Sequence, residues 1–144
     1  MSTAMLDARL TTAPRPFAPS QLRLWVGRVL YGIIGLLLAM DVAVKLIMAP
    51  AAVQGSAPLG FTPQHVWIIG CIGLVCLAAY LIPRTRILGA VLWTGYFGGT
   101  VVTHLRVGNP LFSHILCGVY LGAAIWVSLY LFDPRVRAML ARPR

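Results

Sequence analysis

The sequence predicts an all-α fold, a polytopic membrane protein built as a four-transmembrane-helix antiparallel bundle, and three observations predict it. The chain is 59% hydrophobic and only 10% charged, where a globular domain carries about 25% charged residues, and its mean hydropathy is +0.83. Apolar runs near the roughly 20 residues that cross about 30 Å of hydrocarbon recur along the sequence. The arginines collect in segments that flank those runs, as they do where loop charge sets orientation in a bilayer.

The first 21 residues are polar and punctuated by Pro14, Pro16 and Pro19. They lack hydrophobic periodicity and read as a disordered cytoplasmic tail. The run at 24–48 that follows is too long for the core of a cleaved signal peptide, about 7–15 residues. It reads as the first helix, about 25–48, stopped by Pro50. Within it Asp41 and Lys45 stand four residues apart, so they share a face and can pair.

The segment at 49–63 is small-residue and proline-rich, carries no charge and reads as an extracytoplasmic loop. The second helix covers about 64–82, with Trp67 and Tyr80 toward its two ends as an aromatic belt would place them. Pro83 ends it, and Arg84-Thr85-Arg86 is so short a turn that the third helix, about 87–105, must run back beside the second. Gly108-Asn109-Pro110 leads into the fourth helix, about 111–132, and Asp133-Pro134 stops it. The unit of four helices spans 22–137, and 138–144 reads as a basic cytoplasmic tail.

Orientation follows from the charges. Arg9, Arg15, Arg23 and Arg28 precede the first run, Arg84 and Arg86 lie in the middle turn, and Arg135, Arg137, Arg142 and Arg144 follow the last. Only Lys45 and Arg106 fall on the other side. The expectation is an inner-membrane protein with both termini cytoplasmic. The net charge of +9 therefore faces lipid headgroups; a nucleic-acid partner would need the cations gathered on one face of a folded module.

Close packing of helices in lipid needs small residues, and Gly95/Gly99 and Gly118/Gly122 are spaced for it. Cys71, Cys76 and Cys117 are odd in number, form no CxxC pair and read as buried free thiols.

The polar residues left over gather toward the outer side: Asp41, Lys45, His104, Arg106 and His114, the candidate ligand-binding set. No catalytic residue is assigned. A charge inside a bilayer is costly unless paired or used, about 2.5–3.5 kcal/mol at helix centre. The plainer account of the same residues is an Asp41–Lys45 salt bridge fixing helix register, imidazoles bonded to loop carbonyls and an Arg106 snorkelling to headgroups. His65, at a helix start, reads as an interfacial residue without special role. Scattered histidines with no HxH or HExxH argue against a metal. A bis-histidine haem fits poorly, since His104 and His114 flank a single turn. Ser113 beside His114 lacks a third member for nucleophilic catalysis, and no glycine-rich phosphate loop is present. What remains is a mixed pocket suited to an amphipathic molecule with a carbonyl or phenol head, such as a quinone. Histidine would bond the head there, and Asp41 would relay a proton.

Three stretches carry a family resemblance: Asp41-xxx-Lys45 closing the first helix, LIPRTRILGAVLWTGYFGGTVVTHLRVGNPLF at 81–112, and LFDPRVR at 131–137. On them the chain resembles the DoxX-like family of small bacterial four-helix membrane proteins, from Trp25 through Arg137. The resemblance implies likeness to the membrane subunits of thiosulfate:quinone oxidoreductase and a redox enzyme as partner. It carries over Asp41, Lys45, His104 and Arg106 as matching polar positions. The expected function is a subunit or partner of a quinone-linked or redox-stress membrane complex. The alternatives are a non-enzymatic membrane scaffold or assembly factor, or a small-solute carrier working as a homo-oligomer.

Overall fold

The computed structural model describes residues 21–141, and no strand occurs among them. The expected N-terminal tail and the last three residues of the basic C-terminal tail lie outside the described residues, except for Gln21. In chain order the elements are α1 (Gln21–Leu46), the short α2 (Pro50–Ser56) with a 3-10 turn (Ala57–Leu59), α3 (Pro63–Leu81), α4 (Arg86–Arg106), a π-helical turn (Leu111–Ile115), α5 (Cys117–Phe132) and α6 (Pro134–Leu140).

α1 buries Gly27, Ile34, Leu38 and Val42, steps of seven, four and four that keep one stripe inward at 3.6 residues per turn. The helix closes on Met48, which takes the left-handed conformation (φ 49°) and is the one non-glycine among the described residues to do so. The Ala49 amide reaches back to the Val44 carbonyl at 2.9 Å, the bond that ties off a helix through a left-handed residue.

The segment expected to be a loop is ordered helix instead. Pro50 sits at the first helical position of α2, where its fixed φ is already suited and its missing N–H is not needed. Pro58 sits second in the 3-10 turn, where its missing N–H is likewise not needed, and Gly60 (φ 84°) ends it. α3 begins with a reciprocal cap: the Thr62 hydroxyl accepts from the His65 amide, and His65 Nδ1 accepts from the Thr62 amide at 3.2 Å. His65, expected to be interfacial without a special role, does the work usually given to Glu or Gln.

α1 and α4 each pack against α3 and α5. The core joins Trp93, Tyr80, Ile125 and Leu129, all fully buried. Trp93 stacks on Phe97 with ring centroids 5.3 Å apart. Tyr31 Oη donates to the Tyr80 carbonyl at 2.6 Å, and Trp126 Nε1 donates to Thr94 Oγ1 at 3.0 Å. Where α3 turns into α4, a Cβ on Gly89 would lie 2.2 Å from the Tyr80 backbone nitrogen, so only glycine lets the two helices touch there.

The outer surface is apolar. Leu22, Leu36, Met40, Val75 and Val102 are exposed, far more than a protein in water leaves uncovered. Three stretches are long and apolar enough to cross a membrane: α1, α3 and the 22 residues from Leu111 to Phe132. α4 has the length, 21 residues, but Gly, Thr and Tyr dilute its hydropathy.

The last span does stop before Pro134, as expected, yet the chain resumes at once as α6. Asp133 accepts from the Arg135 amide at 2.9 Å and so caps a helix that runs through residues assigned to the tail.

Candidate functional site

A largely apolar cavity of about 910 Å³ opens among the helix ends that carry the polar set. That volume lies in the range of ligand pockets, about 300–1,000 Å³. Its wall brings together Asp41 and Lys45 from α1, His104 from α4 and His114 from the π-helical turn.

Each is placed by its element. Asp41 and Lys45 are one turn apart on α1, and Lys45 Nζ donates to Asp41 Oδ1. The lysine is mostly covered, while the acid is more than a third exposed. Lys45 Nζ also lies 6.0 Å from the centre of the Tyr96 ring, where ring and cation attract. Gly70 makes this possible from below, since a Cβ there would press on Lys45 Cβ at 3.0 Å.

The two imidazoles meet across the α4–α5 connection, with centroids 5.7 Å apart. The Asn109 side-chain nitrogen stands 2.7 Å from His104 Nδ1. An amide nitrogen only donates, so Nδ1 accepts and the neutral ring holds its proton on Nε2. Ser113 Oγ lies 2.7 Å from His114 Nδ1, and either partner can supply that hydrogen.

Arg106 goes elsewhere. Its Nη2 donates to the Leu59 carbonyl at 2.8 Å, so it fastens the 3-10 turn to the end of α4 instead of reaching Asp41. Among the described residues no group of three or more His, Cys, Asp or Glu is placed to hold a metal.

The cavity also uses residues that the polar inventory omits. Tyr96, Thr100 and Thr103 line it in one helical stripe with His104, a spacing the sequence makes readable. The threonine hydroxyls donate to carbonyls of their own helix, Thr100 to Tyr96 at 3.2 Å and Thr103 to Gly99 at 2.8 Å. Each oxygen keeps lone pairs that can accept from a ligand. Gly95 and Gly99, expected to form a tight helix contact, face open space and line this same cavity. Gly118 does make its contact, with a Cβ position 3.1 Å from the Phe97 carbonyl.

The site thus offers a paired acid and base on one wall and imidazoles on another, with apolar surface and bare helix backbone between them. It can bond a small polar head and shelter an apolar body. Compared with known proteins, residues 29–128 match the family described as DoxX-like. No curated protein and no solved structure matches the chain. The matched stretch contains Asp41, Lys45, His104 and His114.

Proposed function

The chain belongs to the DoxX-like family, and on that premise we propose that it is a four-span protein of the bacterial inner membrane whose cavity binds a quinone-like ligand. It would act within or beside a quinone-linked or redox-stress complex, with a redox enzyme as partner. The fourth span in this reading is α4. Arg86 at its start lies against Tyr31 of α1 and pairs with Asp133 after α5, so the start of α1, the start of α4 and the end of α5 share one end of the molecule. Three crossings would leave the start of α1 and the end of α5 on opposite sides; four return them to the same side. At 1.5 Å per residue α4 reaches about 30 Å, enough to cross. Of the glycines and threonines that lower its hydropathy, Gly95, Gly99, Thr100 and Thr103 line the cavity.

Orientation follows from charge. Arg28, Arg84, Arg86, Arg135 and Arg137 belong to the end that holds the Arg86–Asp133 pair, and Lys45 and Arg106 to the other. Positive residues favour the cytoplasm, so the cavity would open toward the extracytoplasmic side.

One observation carries the reading: Asp41, Lys45, His104 and His114 lie on a single, mostly apolar cavity. A quinone head needs a donor at its carbonyl oxygens, and reduction needs protons delivered there. His104 Nε2–H can donate, and Asp41 can exchange the proton. The test is extraction of the protein in its native lipids, followed by chromatographic assay of quinone. About one quinone per bound site is expected, falling at least about tenfold in His104→Ala and Asp41→Asn. Wild-type protein that carries no quinone and takes none up from added menaquinone or ubiquinone would overturn the assignment.

A further inference from the structure

We propose that the opposite end of the molecule holds a binding site for a phosphate group, of the kind that an anionic phospholipid headgroup presents. A second cavity, about 590 Å³, opens there among Arg28, Tyr31, Arg86, Phe132, Asp133 and Arg135. Three guanidinium groups face one carboxylate, so two positive charges are left over around an open space.

The three arginines are held differently. Arg135 is committed: its Nη2 donates to Asp133 Oδ2 at 2.9 Å and to the Pro83 carbonyl at 2.6 Å. Arg86 is largely covered and packed between rings, its guanidinium carbon 5.4 Å from the centre of Tyr31 and 5.2 Å from that of Phe132. Its approach to Asp133 is 3.5 Å, an ion pair too long for a good hydrogen bond, and its buried Nε has no partner among the described residues. Arg28 makes no ion pair and no hydrogen bond among the described residues. A fixed, underused guanidinium beside a second one is the arrangement that takes a phosphate by paired N–H···O bonds.

Depth points to a headgroup. Arg28 lies in the second turn of α1, Arg86 is the first residue of α4 and Phe132 the last of α5. The cavity therefore sits where helices end, at the boundary between hydrocarbon and water, with Tyr31 and Phe132 offering apolar surface on the hydrocarbon side. Basic pockets of this kind between helix ends suit anionic headgroups. Arg28, Asp133 and Arg135 all fall outside the stretch matched by the family, while Tyr31 and Arg86 fall within it.

The test uses the full-length protein, delipidated in neutral detergent and titrated with phosphatidylglycerol, phosphatidylcholine or inorganic phosphate. Native mass spectrometry and thermal unfolding are the readouts. Phosphatidylglycerol should be retained in preference to phosphatidylcholine, with affinity reduced about tenfold in Arg28→Gln. Arg84→Gln, which changes the same charge outside the cavity, should bind as wild type does. Arg28→Lys keeps the charge without the planar fork and should fall between wild type and Arg28→Gln, which guards against a folding artefact. Stabilisation by inorganic phosphate equal to that by the lipid, and lost in Arg28→Gln, would uphold the site and assign it to soluble phosphate. Equal retention of the two lipids, or equal losses in Arg84→Gln and Arg28→Gln, would overturn it.

Discussion

Asp133 shows how much one carboxylate can organise. It caps α6, pairs with Arg86 and receives two hydrogen bonds from the Arg135 guanidinium. Those bonds from Arg135 hold its carboxyl below the ordinary value, against the opposing effect of its burial, and the Arg135 amide and the charge of Arg86 add to the lowering. A carboxyl depressed in the folded state stabilises fully above its unfolded pKa, about 3.9, and the contribution is lost as pH falls through the lower folded value. Resistance to unfolding in detergent should therefore weaken as pH drops below about 4, and Asp133→Asn should remove that part of the slope. Asparagine still caps a helix but leaves Arg86 without its counter-charge, so a loss of about 2 kcal/mol or more is expected. Met48 offers the opposite change. A left-handed non-glycine residue costs about 1–2 kcal/mol, so Met48→Gly should raise stability by about 1 kcal/mol in the same assay.

Among the elements, the glycines of α4 separate into three kinds that sequence spacing cannot distinguish. Gly89 is pressed against backbone, which cannot move aside, so Gly89→Ala should destabilise by about 3 kcal/mol or prevent folding. Gly98 has nothing within 4 Å of its Cβ position and is not part of the cavity wall, so Gly98→Ala should stabilise the helix by about 0.5–1 kcal/mol without affecting ligand. Gly99 is equally open but lies on the cavity. Gly99→Ala should stabilise similarly in thermal unfolding while lowering quinone occupancy. A GxxxG spacing says that backbone is bare, and only the neighbouring helix decides whether a partner or a void lies against it. The helices themselves were legible because their apolar runs are long and proline marks their ends. Two short elements, α2 and α6, were not. Each begins at a proline that also reads as a terminator, and each lasts seven residues, too few for periodicity to register.

For the whole molecule, the segregation of arginines from the acid–lysine–imidazole group was readable from composition and order alone. The convergence of Asp41, Lys45, His104 and His114 on one cavity was partly readable, since helical spacing gives the face of each residue but not which helices are neighbours. Arg106 shows the gap: depth alone groups it with the ligand set, and its hydrogen bond to Leu59 depends on a 3-10 turn that the sequence does not announce. The proposed topology predicts that Arg84→Cys resists, and Ala57→Cys accepts, an impermeant thiol reagent added to intact cells, with the three native cysteines replaced by serine. Labelling of both positions from outside would contradict the orientation. The bare α4 backbone has a further use. Because Gly95 and Gly99 meet the cavity with hydrogen alone, stepwise enlargement at either position to Ala, Val and Leu would narrow the chamber by graded amounts while sparing every ionisable group. The step at which occupancy vanishes would gauge the girth of the native guest, as a caliper does, before its identity is known.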